Sequence, residues 1–414
     1  MPQTDHGYAS DESYHIGYAI MASVSFTYHA DYDPGDTVVL DQNALNINSS
    51  PSVSITIGPF FMDRFVLNNS GFYQASGAYF TDAQHLDVDL FGPIPKTITG
   101  TEYSISADLS DNTGVVYLTG GTFGDVLRAG SNADTVNGGD GNDVLEGGAG
   151  ADIINGGNGF NTASYDRSAS GVTVDLTTGD TTGGDAAGDA LTQIQKLVGS
   201  AHADSLTGDN LDNTLVGNGG GDALYGMDGH DRLVITDAPA FIDGGTGKDL
   251  LFVTGGGTVS LAEAAFTGIE TVYVRNDTTL DMSAVETGSK IVSQSTNGHH
   301  VEIIGTSGSD RIQAGKGGDT IEGGAGGDKL FAGAGADTFH FETGFGRDNI
   351  YNFVAGTDRF DVSALVDSFD QIEFTTLASG TLITFAGAEA GTKIILHDVA
   401  ASSLHADDFG FLSI

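Results

Sequence analysis

Apolar residues recur along this chain at two periods. In residues 23–29, Val24, Phe26 and Tyr28 fall on alternate positions; Val53, Ile55 and Ile57 do the same, as do Leu86, Val88 and Leu90. A period of two puts one set of side chains on one face of a half-buried strand. Two turn-forming runs, Asn68-Asn69-Ser70-Gly71 and Gly92-Pro93-Ile94-Pro95, interrupt these stretches. Residues 1–118 are therefore expected to form an antiparallel β-sandwich-like module that makes assembly, adhesion or substrate contacts.

From about residue 120 the period becomes nine. Gly138-Gly139-Asp140-Gly141-Asn142-Asp143-Val144-Leu145-Glu146 runs directly into Gly147-Gly148-Ala149-Gly150-Ala151-Asp152-Ile153-Ile154-Asn155. Both fit G-G-x-G-x-D-x-U-x, with U a large apolar residue, which is the pattern of the calcium-binding parallel β-roll. Imperfect units precede them, with Asp125 and Asp134 at the acidic position, and a fading unit follows with Asn161 there. A second block, residues 199–234, supplies Asp204, Asp222 and Asp231, with Asn213 substituting in one unit. An isolated turn beginning Gly244-Gly245-Thr246-Gly247-Lys248 adds Asp249, although a lone turn of this composition also reads as an ordinary loop. A third block, residues 305–340, carries Asp310, Asp319, Asp328 and Asp337.

Residues 250–304 are rich in strand formers and are predicted to continue the solenoid without calcium turns, with one short helical turn in 259–266. Residues 341–414 form a distinct aromatic-rich β segment, read as a C-terminal cap. The chain is thus expected to be all-β. An N-terminal module is followed by a parallel β-roll or β-helix solenoid over residues 119–340 and a cap over 341–414.

The spacing has a chemical reason. Glycines at three of the first four positions open backbone conformations closed to other residues, so a tight turn can aim several carbonyl oxygens inward. The aspartate adds a charged oxygen, and Ca2+ wants six to eight oxygen ligands. The residues x-U-x make a short strand whose inward side chain, such as Leu145 or Ile154, fills a core. Two nonapeptides make one coil, and no repeat buries its apolar face alone.

Composition agrees. There are 56 Asp and Glu against 15 Lys and Arg, a formal charge of −41. Such an excess repels itself in a compact state and disfavours a nucleic-acid partner; metal cations are the natural neutraliser. With no cysteine, neither disulfides nor thiolate metal sites are available. Residues 1–20 lack a basic n-region and an apolar h-region, so no secretory signal peptide is expected there. No apolar run reaches the ~18 residues of a spanning helix.

These nonapeptides resemble those of the RTX (repeats-in-toxin, haemolysin-type) calcium-binding proteins, over residues from about 120 to 414. The resemblance implies calcium ions held between turns two repeats apart by carbonyls and turn aspartates. Carried over, Asp143 and Asp152 become ligands, with Asp125 and Asp134 facing them across the coil. Asp204, Asp222, Asp231, Asp249, Asp310, Asp319, Asp328 and Asp337 follow in the same register. The resemblance also implies an extracellular or cell-surface bacterial location. Export would use a type I system that reads an uncleaved C-terminal segment, here including Asp348-Asn349-Ile350 and Asp407-Asp408-Phe409-Gly410-Phe411. Calcium modules outside cells bind at about 10⁻⁴–10⁻³ M, so the roll is expected to stay unfolded inside the cell and to fold outside. On the order of seven sites at ~1.4 kcal/mol each amounts to the stability of a whole domain.

Catalytic signatures are absent from the sequence: no H-E-x-x-H, no G-x-S-x-G, no thiol nucleophile. Asp31 with Asp33, and Asp87 with Asp89, are carboxylate pairs of a kind used on glycosides, but read more simply as strand-surface charge. His299-His300 reads as a surface dyad rather than a metal site. The preferred reading is a non-enzymatic surface-layer, matrix, fibre-forming or adhesive protein that contacts itself or a glycan, with a weaker resemblance to RTX surface-layer proteins. A secreted polysaccharide-active enzyme with its site in residues 1–118 is the alternative. A pore-forming toxin would need a long amphipathic helical region, and none is visible.

Overall fold

The computed structural model describes the strands of residues 37–99 by their backbone, and residues 104–411 apart from 112 and 390. Residues 23–29, the pair Asp31 and Asp33, and both turn runs after residue 68 fall outside the described residues. Among those described there is no α-helix, only short 3-10 turns, and no helix is long and apolar enough to cross a membrane. The chain divides into two compact units, Met1–Ala201 and His202–Ile414.

The first unit winds between two parallel sheets. Strands Thr37–Asp41, Arg64–Asn68, His85–Leu90, Ser104–Asp108, Val126–Arg128, Val144–Glu146, Thr162–Ser164 and Lys196–Val198 form one ladder. The alternate strands, Val53–Ile55 through Val116–Thr119, Thr135–Asp140 and Ile153–Asn158 to Ala190–Thr192, form a seven-stranded second sheet. Strands next to each other in sequence thus lie in different sheets. The antiparallel pairing expected within residues 1–118 is corrected here: every pair formed by these strands is parallel and runs on into the nonapeptide strands. Alternating polarity shows that one face is buried; it carries no information on the direction of the neighbouring strand. Asp87 and Asp89 take the register positions of Ser106 and Asp108.

Residues 165–189 interrupt the winding with a small antiparallel pair, Thr173–Asp175 on Thr181–Thr182, before the coil resumes at Ala190.

The second unit repeats the scheme. One long parallel ladder runs through Thr214–Asn218, Arg232–Ile235, Leu250–Val253, Thr271–Val274, Lys290–Ser293, Arg311–Gln313, Lys329–Phe331, Arg347–Tyr351 and Lys393–His397. A seven-stranded sheet runs from Gly257–Ala262 through Thr278–Ala284, Val301–Ile304, Thr320–Glu322 and Thr338–His340 to Arg359–Asp361 and Phe409–Gly410. Residues 250–304 do continue the winding, with the 3-10 turn at Glu263–Ala265. An antiparallel hairpin, Ile372–Leu377 on Gly380–Phe385, joins the ladder near its end.

The core is a stack of single side chains. Leu127, Leu145, Val136 and Ile154 in the first unit, and Leu233, Leu251, Ile312 and Leu330 in the second, are fully buried. Burying one such side chain contributes about 2 kcal/mol, whereas ordering a residue's backbone costs about 1–2 kcal/mol. A nine-residue unit with one core side chain therefore cannot hold itself; stacked neighbours and whatever fills the turns must supply the difference. Towards the C-terminus the core becomes aromatic: Phe353 stacks on Phe360 at 4.5 Å and Phe360 on Phe409 at 5.0 Å.

Candidate metal centre

The aspartate of each nonapeptide sits immediately before its strand, so the 18-residue coil stacks these carboxylates in rows. All twelve expected aspartates are buried, none more than 4% exposed. Ten of them, leaving Asp125 and Asp204 aside, accept at Oδ1 a backbone N–H of the coil before. The amide N–H of Asp125 donates to Asp143 Oδ1 (2.8 Å), Asp134 to Asp152 (2.7 Å), Asp204 to Asp222 (3.0 Å) and Asp231 to Asp249 (2.8 Å). Asp310 donates likewise to Asp328 and Asp319 to Asp337, both at 2.8 Å. One expectation is corrected by this. Asp125 does not face Asp152 or Asp143 across the coil; it lies directly in line with Asp143, and Asp134 in line with Asp152. Residues nine apart belong to opposite sheets, and residues eighteen apart stack.

The second carboxylate oxygen points into the turn. In Asp125, Asp134, Asp319 and Asp337 it accepts the N–H four residues back, for example Gly130 to Asp134 at 3.0 Å and Gly315 to Asp319 at 2.7 Å. In Asp143, Asp152, Asp231, Asp249 and Asp328, and also in Asp348, that oxygen is buried with no hydrogen-bond partner. Leaving a buried charged oxygen unpaired costs far more than a normal hydrogen bond returns. Five of the six are residues that the nonapeptide register singles out.

The first glycine of each unit shows what lies opposite. A Cβ added at Gly138 would run into Asp143 Oδ2 and the carbonyl oxygen of Gly156, one coil on. At Gly226 it would meet Asp231 Oδ2 and the Gly244 carbonyl, and at Gly305 Asp310 Oδ2 and the Gly323 carbonyl. Carboxylate and carbonyl oxygens of successive coils thus converge where only a glycine leaves room. Gly141, with φ +129°, meets the second demand on the turn, a backbone shape that residues with a side chain rarely adopt. This donor set is all oxygen, carbonyl-rich and anionic, which suits a hard cation such as Ca2+. Among the described residues no three His, Cys, Asp or Glu side chains gather as a metal-binding group; any ion here takes much of its coordination from the backbone.

Electrostatics report the same frustration. Burial, reinforced by the neighbouring carboxylates of Asp189, Asp134 and Asp185, pushes Asp152 up to about 7. Burial also raises Asp222 and Asp231 to about 7, with Asp204 and Asp249 respectively the nearest like charges. Asp134, Asp143, Asp249, Asp310 and Asp337 are raised for the same reason. Asp328 and Asp348, buried against each other, are both raised.

The rows are longer than the strict nonapeptide register indicates. Asp152 N–H donates to Asp189 (2.8 Å), Asp328 to Asp348 (2.9 Å) and Asp337 to Asp358 (3.0 Å). Asp189, Asp348 and Asp358 are buried and occupy the aspartate position of coils lengthened by insertions. Their signal was present in Asp189-Ala190-Leu191, Asp348-Asn349-Ile350 and Asp358-Arg359-Phe360: the D-x-U triplet survives although only part of the glycine pattern before it does. Asn161 keeps the row with a neutral side chain, accepting from Asp143 N–H, and Asn213 N–H donates to Asp231 Oδ1 one coil on while its side chain accepts the turn contact from Asp209 N–H. Gln195 and Glu270 end rows in the same way. His299 and His300 lie on the surface, with His299 Nδ1 2.7 Å from Asp277 Oδ2.

Comparison with known proteins bears on these rows directly. The RTX calcium-binding nonapeptide repeat, in four copies, matches residues 117–145, 128–163, 198–234 and 304–339. Among solved structures, the extracellular lipase LipA from Serratia marcescens is similar at 15% identity, with a TM-score of 0.19, over 72% of this chain and 40% of that one. This chain therefore spans less than half the length of that protein. No curated protein matches the chain.

Proposed function

We propose, from the four RTX calcium-binding nonapeptide repeats that the chain carries, that its solenoid is a calcium-dependent folding unit of a secreted, non-enzymatic RTX-type protein that works in assembly or adhesion at the cell exterior. The repeats themselves bind calcium. The finer assignment is that Asp125, Asp134, Asp143, Asp152, Asp204, Asp222, Asp231, Asp249, Asp310, Asp319, Asp328 and Asp337 are the side-chain ligands, joined by carbonyls such as those of Gly156, Gly244 and Gly323.

The observation that carries the reading is the set of buried, unpartnered Asp oxygens in rows one coil apart. A bound cation supplies the missing partner and offsets the carboxylate repulsion behind a net charge of −41. The aspartates position the ion, the glycines leave it room, and the strand after each turn converts its binding into core formation. Little free calcium inside the cell would leave the roll open, which suits passage through a type I exporter reading residues near the C-terminus.

The assembly role rests on the solenoid's parallel ladders, because the end strand of an open ladder is a template for pairing with another chain. Its test is molar mass by light scattering in millimolar calcium and then in chelator. Large ordered assemblies that form only with calcium support a surface or matrix protein. A compact monomer in calcium rejects self-assembly.

A further inference from the structure

Positive charge in the second unit is concentrated on one sheet. The whole chain holds 15 Lys and Arg, and the long parallel ladder of this unit carries Arg232, Lys290, Arg311, Lys329, Arg347 and Lys393 on its strands. Register tightens the grouping. Lys290 lies directly opposite Arg311, and Arg311 opposite Lys329, on successive strands; Arg347 lies opposite Lys393. Lys290, Arg311 and Lys329 are exposed.

Two residues further along, on the same face, the neighbouring row reads Phe252, Tyr273, Val292, Gln313, Phe331 and Tyr351 on successive strands, so that rings flank the strands of Lys290 and Arg311 and one follows Lys329. Phe252 stacks on Tyr273 (4.9 Å), Phe331 on Tyr351 (4.6 Å), and Tyr351 on His397 (4.2 Å). The Arg232 guanidinium sits 3.8 Å over Phe252, and that of Arg311 3.8 Å over Phe331.

The arrangement is unfavourable for the protein alone. Like charges directly opposite on neighbouring strands destabilise a sheet. The chain has 56 carboxylates, yet among the described residues no ion pair reaches Lys290, Arg311 or Lys329. Two acidic residues on the unit's seven-stranded sheet are engaged elsewhere: Glu302 accepts from Thr279, and Asp361 pairs with His340, which also meets Glu342. A second copy of that sheet is therefore a poor complement to the cation row.

We propose that this strip is a docking surface for an acidic polysaccharide, an extended polyuronate chain lying across successive coils. Its carboxylates meet Lys290, Arg311 and Lys329, and its sugar faces lie on the adjoining rings. The strip offers one cation per strand, about 4.8 Å apart, which suits a polymer with one charge per sugar. Duplex DNA carries a charge every ~1.7 Å, and the excess would face a strongly anionic protein. A guanidinium held flat on a ring keeps its N–H edge free for a planar carboxylate.

The test is calorimetry on the full-length, calcium-loaded protein, its fold checked by circular dichroism, with hexagalacturonate at low ionic strength. Binding is expected, weakening at least tenfold in the triple variant Lys290→Ser/Arg311→Ser/Lys329→Ser, with no binding of maltohexaose. The triple variant should unfold at the wild-type temperature or above it, because the repulsion along the row is gone. Should the triple variant fail to fold, Arg311→Gln alone should weaken binding several-fold. Absence of hexagalacturonate binding to folded wild type overturns the proposal, as does equal affinity in the folded triple variant or in Arg311→Gln. Preference for duplex DNA, or loss of self-association in the triple variant without any glycan binding, overturns it in favour of those partners.

Discussion

The amide N–H of Asp134 donates to Oδ1 of Asp152 at 2.7 Å, one 18-residue coil away, while Oδ2 of Asp152 is buried with no partner. One oxygen of the carboxylate thus fixes the register between coils and the other is left for an ion. Register and metal binding depend on the same side chain, so losing the ion should loosen the stacking as well as the turn.

Replacing Asp143 by Asn keeps the Oδ1 acceptor for Asp125 N–H and removes the charge. Calcium stoichiometry by equilibrium dialysis should fall by about one, and stability in millimolar calcium by about 1–2 kcal/mol. In chelator the same change should be neutral or favourable, because it removes a buried unpaired charge. Equal destabilisation in both conditions would mean that Asp143 is purely structural.

Asp348 lies outside the matched repeats, but its Oδ2 is as isolated as those of Asp143 and Asp152. The variant Asp348→Asn should therefore lower calcium stoichiometry too, while Asp407→Asn, at an exposed position, should not. Unchanged stoichiometry in Asp348→Asn would confine the sites to the nonapeptides.

Gly138→Ala places a methyl group among Asp143 Oδ2 and the Gly156 carbonyl. The expected result is loss of calcium affinity at that turn and a stability cost of about 1–3 kcal/mol in a calcium-dependent melting experiment. Wild-type affinity in Gly138→Ala would show that this space is not the ion's.

The pH response should change sign with calcium. Asp152, Asp222 and Asp231 sit at about 7 in the calcium-free fold, against about 3.9 in an unfolded chain. Between these values the folded state holds more protons, so its stability rises as pH falls from about 7 towards 4. With calcium bound, protons compete for the same oxygens, and acid should weaken binding. The test is far-UV circular dichroism in chelator at pH 7.5 and pH 5, beside urea titrations with calcium at the same two pH values; β signal in chelator that falls on acidification across this window would contradict the assigned burial.

Much of this architecture could be read from the sequence, and the exceptions have physical causes. The nine-residue phase of glycine and aspartate identified the turns, and Leu145 and Ile154 were legible as core because one apolar residue follows each turn at a fixed offset. Strand direction in residues 37–99 was not legible, since Leu86, Val88 and Leu90 alternate identically in parallel and antiparallel sheets. Asp189 and Asp348 were hidden because insertions broke the nine-residue count while the D-x-U triplet persisted. The cation strip was hidden because Lys290, Arg311 and Lys329 are about twenty residues apart and become neighbours only once coil lengths are known.

The most direct test of the central claim is a calcium titration of the chelated full-length chain, followed by far-UV circular dichroism with the bound metal counted in the same samples. The account predicts a largely unfolded spectrum without calcium, and a cooperative gain of β signal in step with several bound ions at about 10⁻⁴–10⁻³ M free calcium. A native β spectrum in chelator, or binding of several ions with no change in the spectrum, would contradict it.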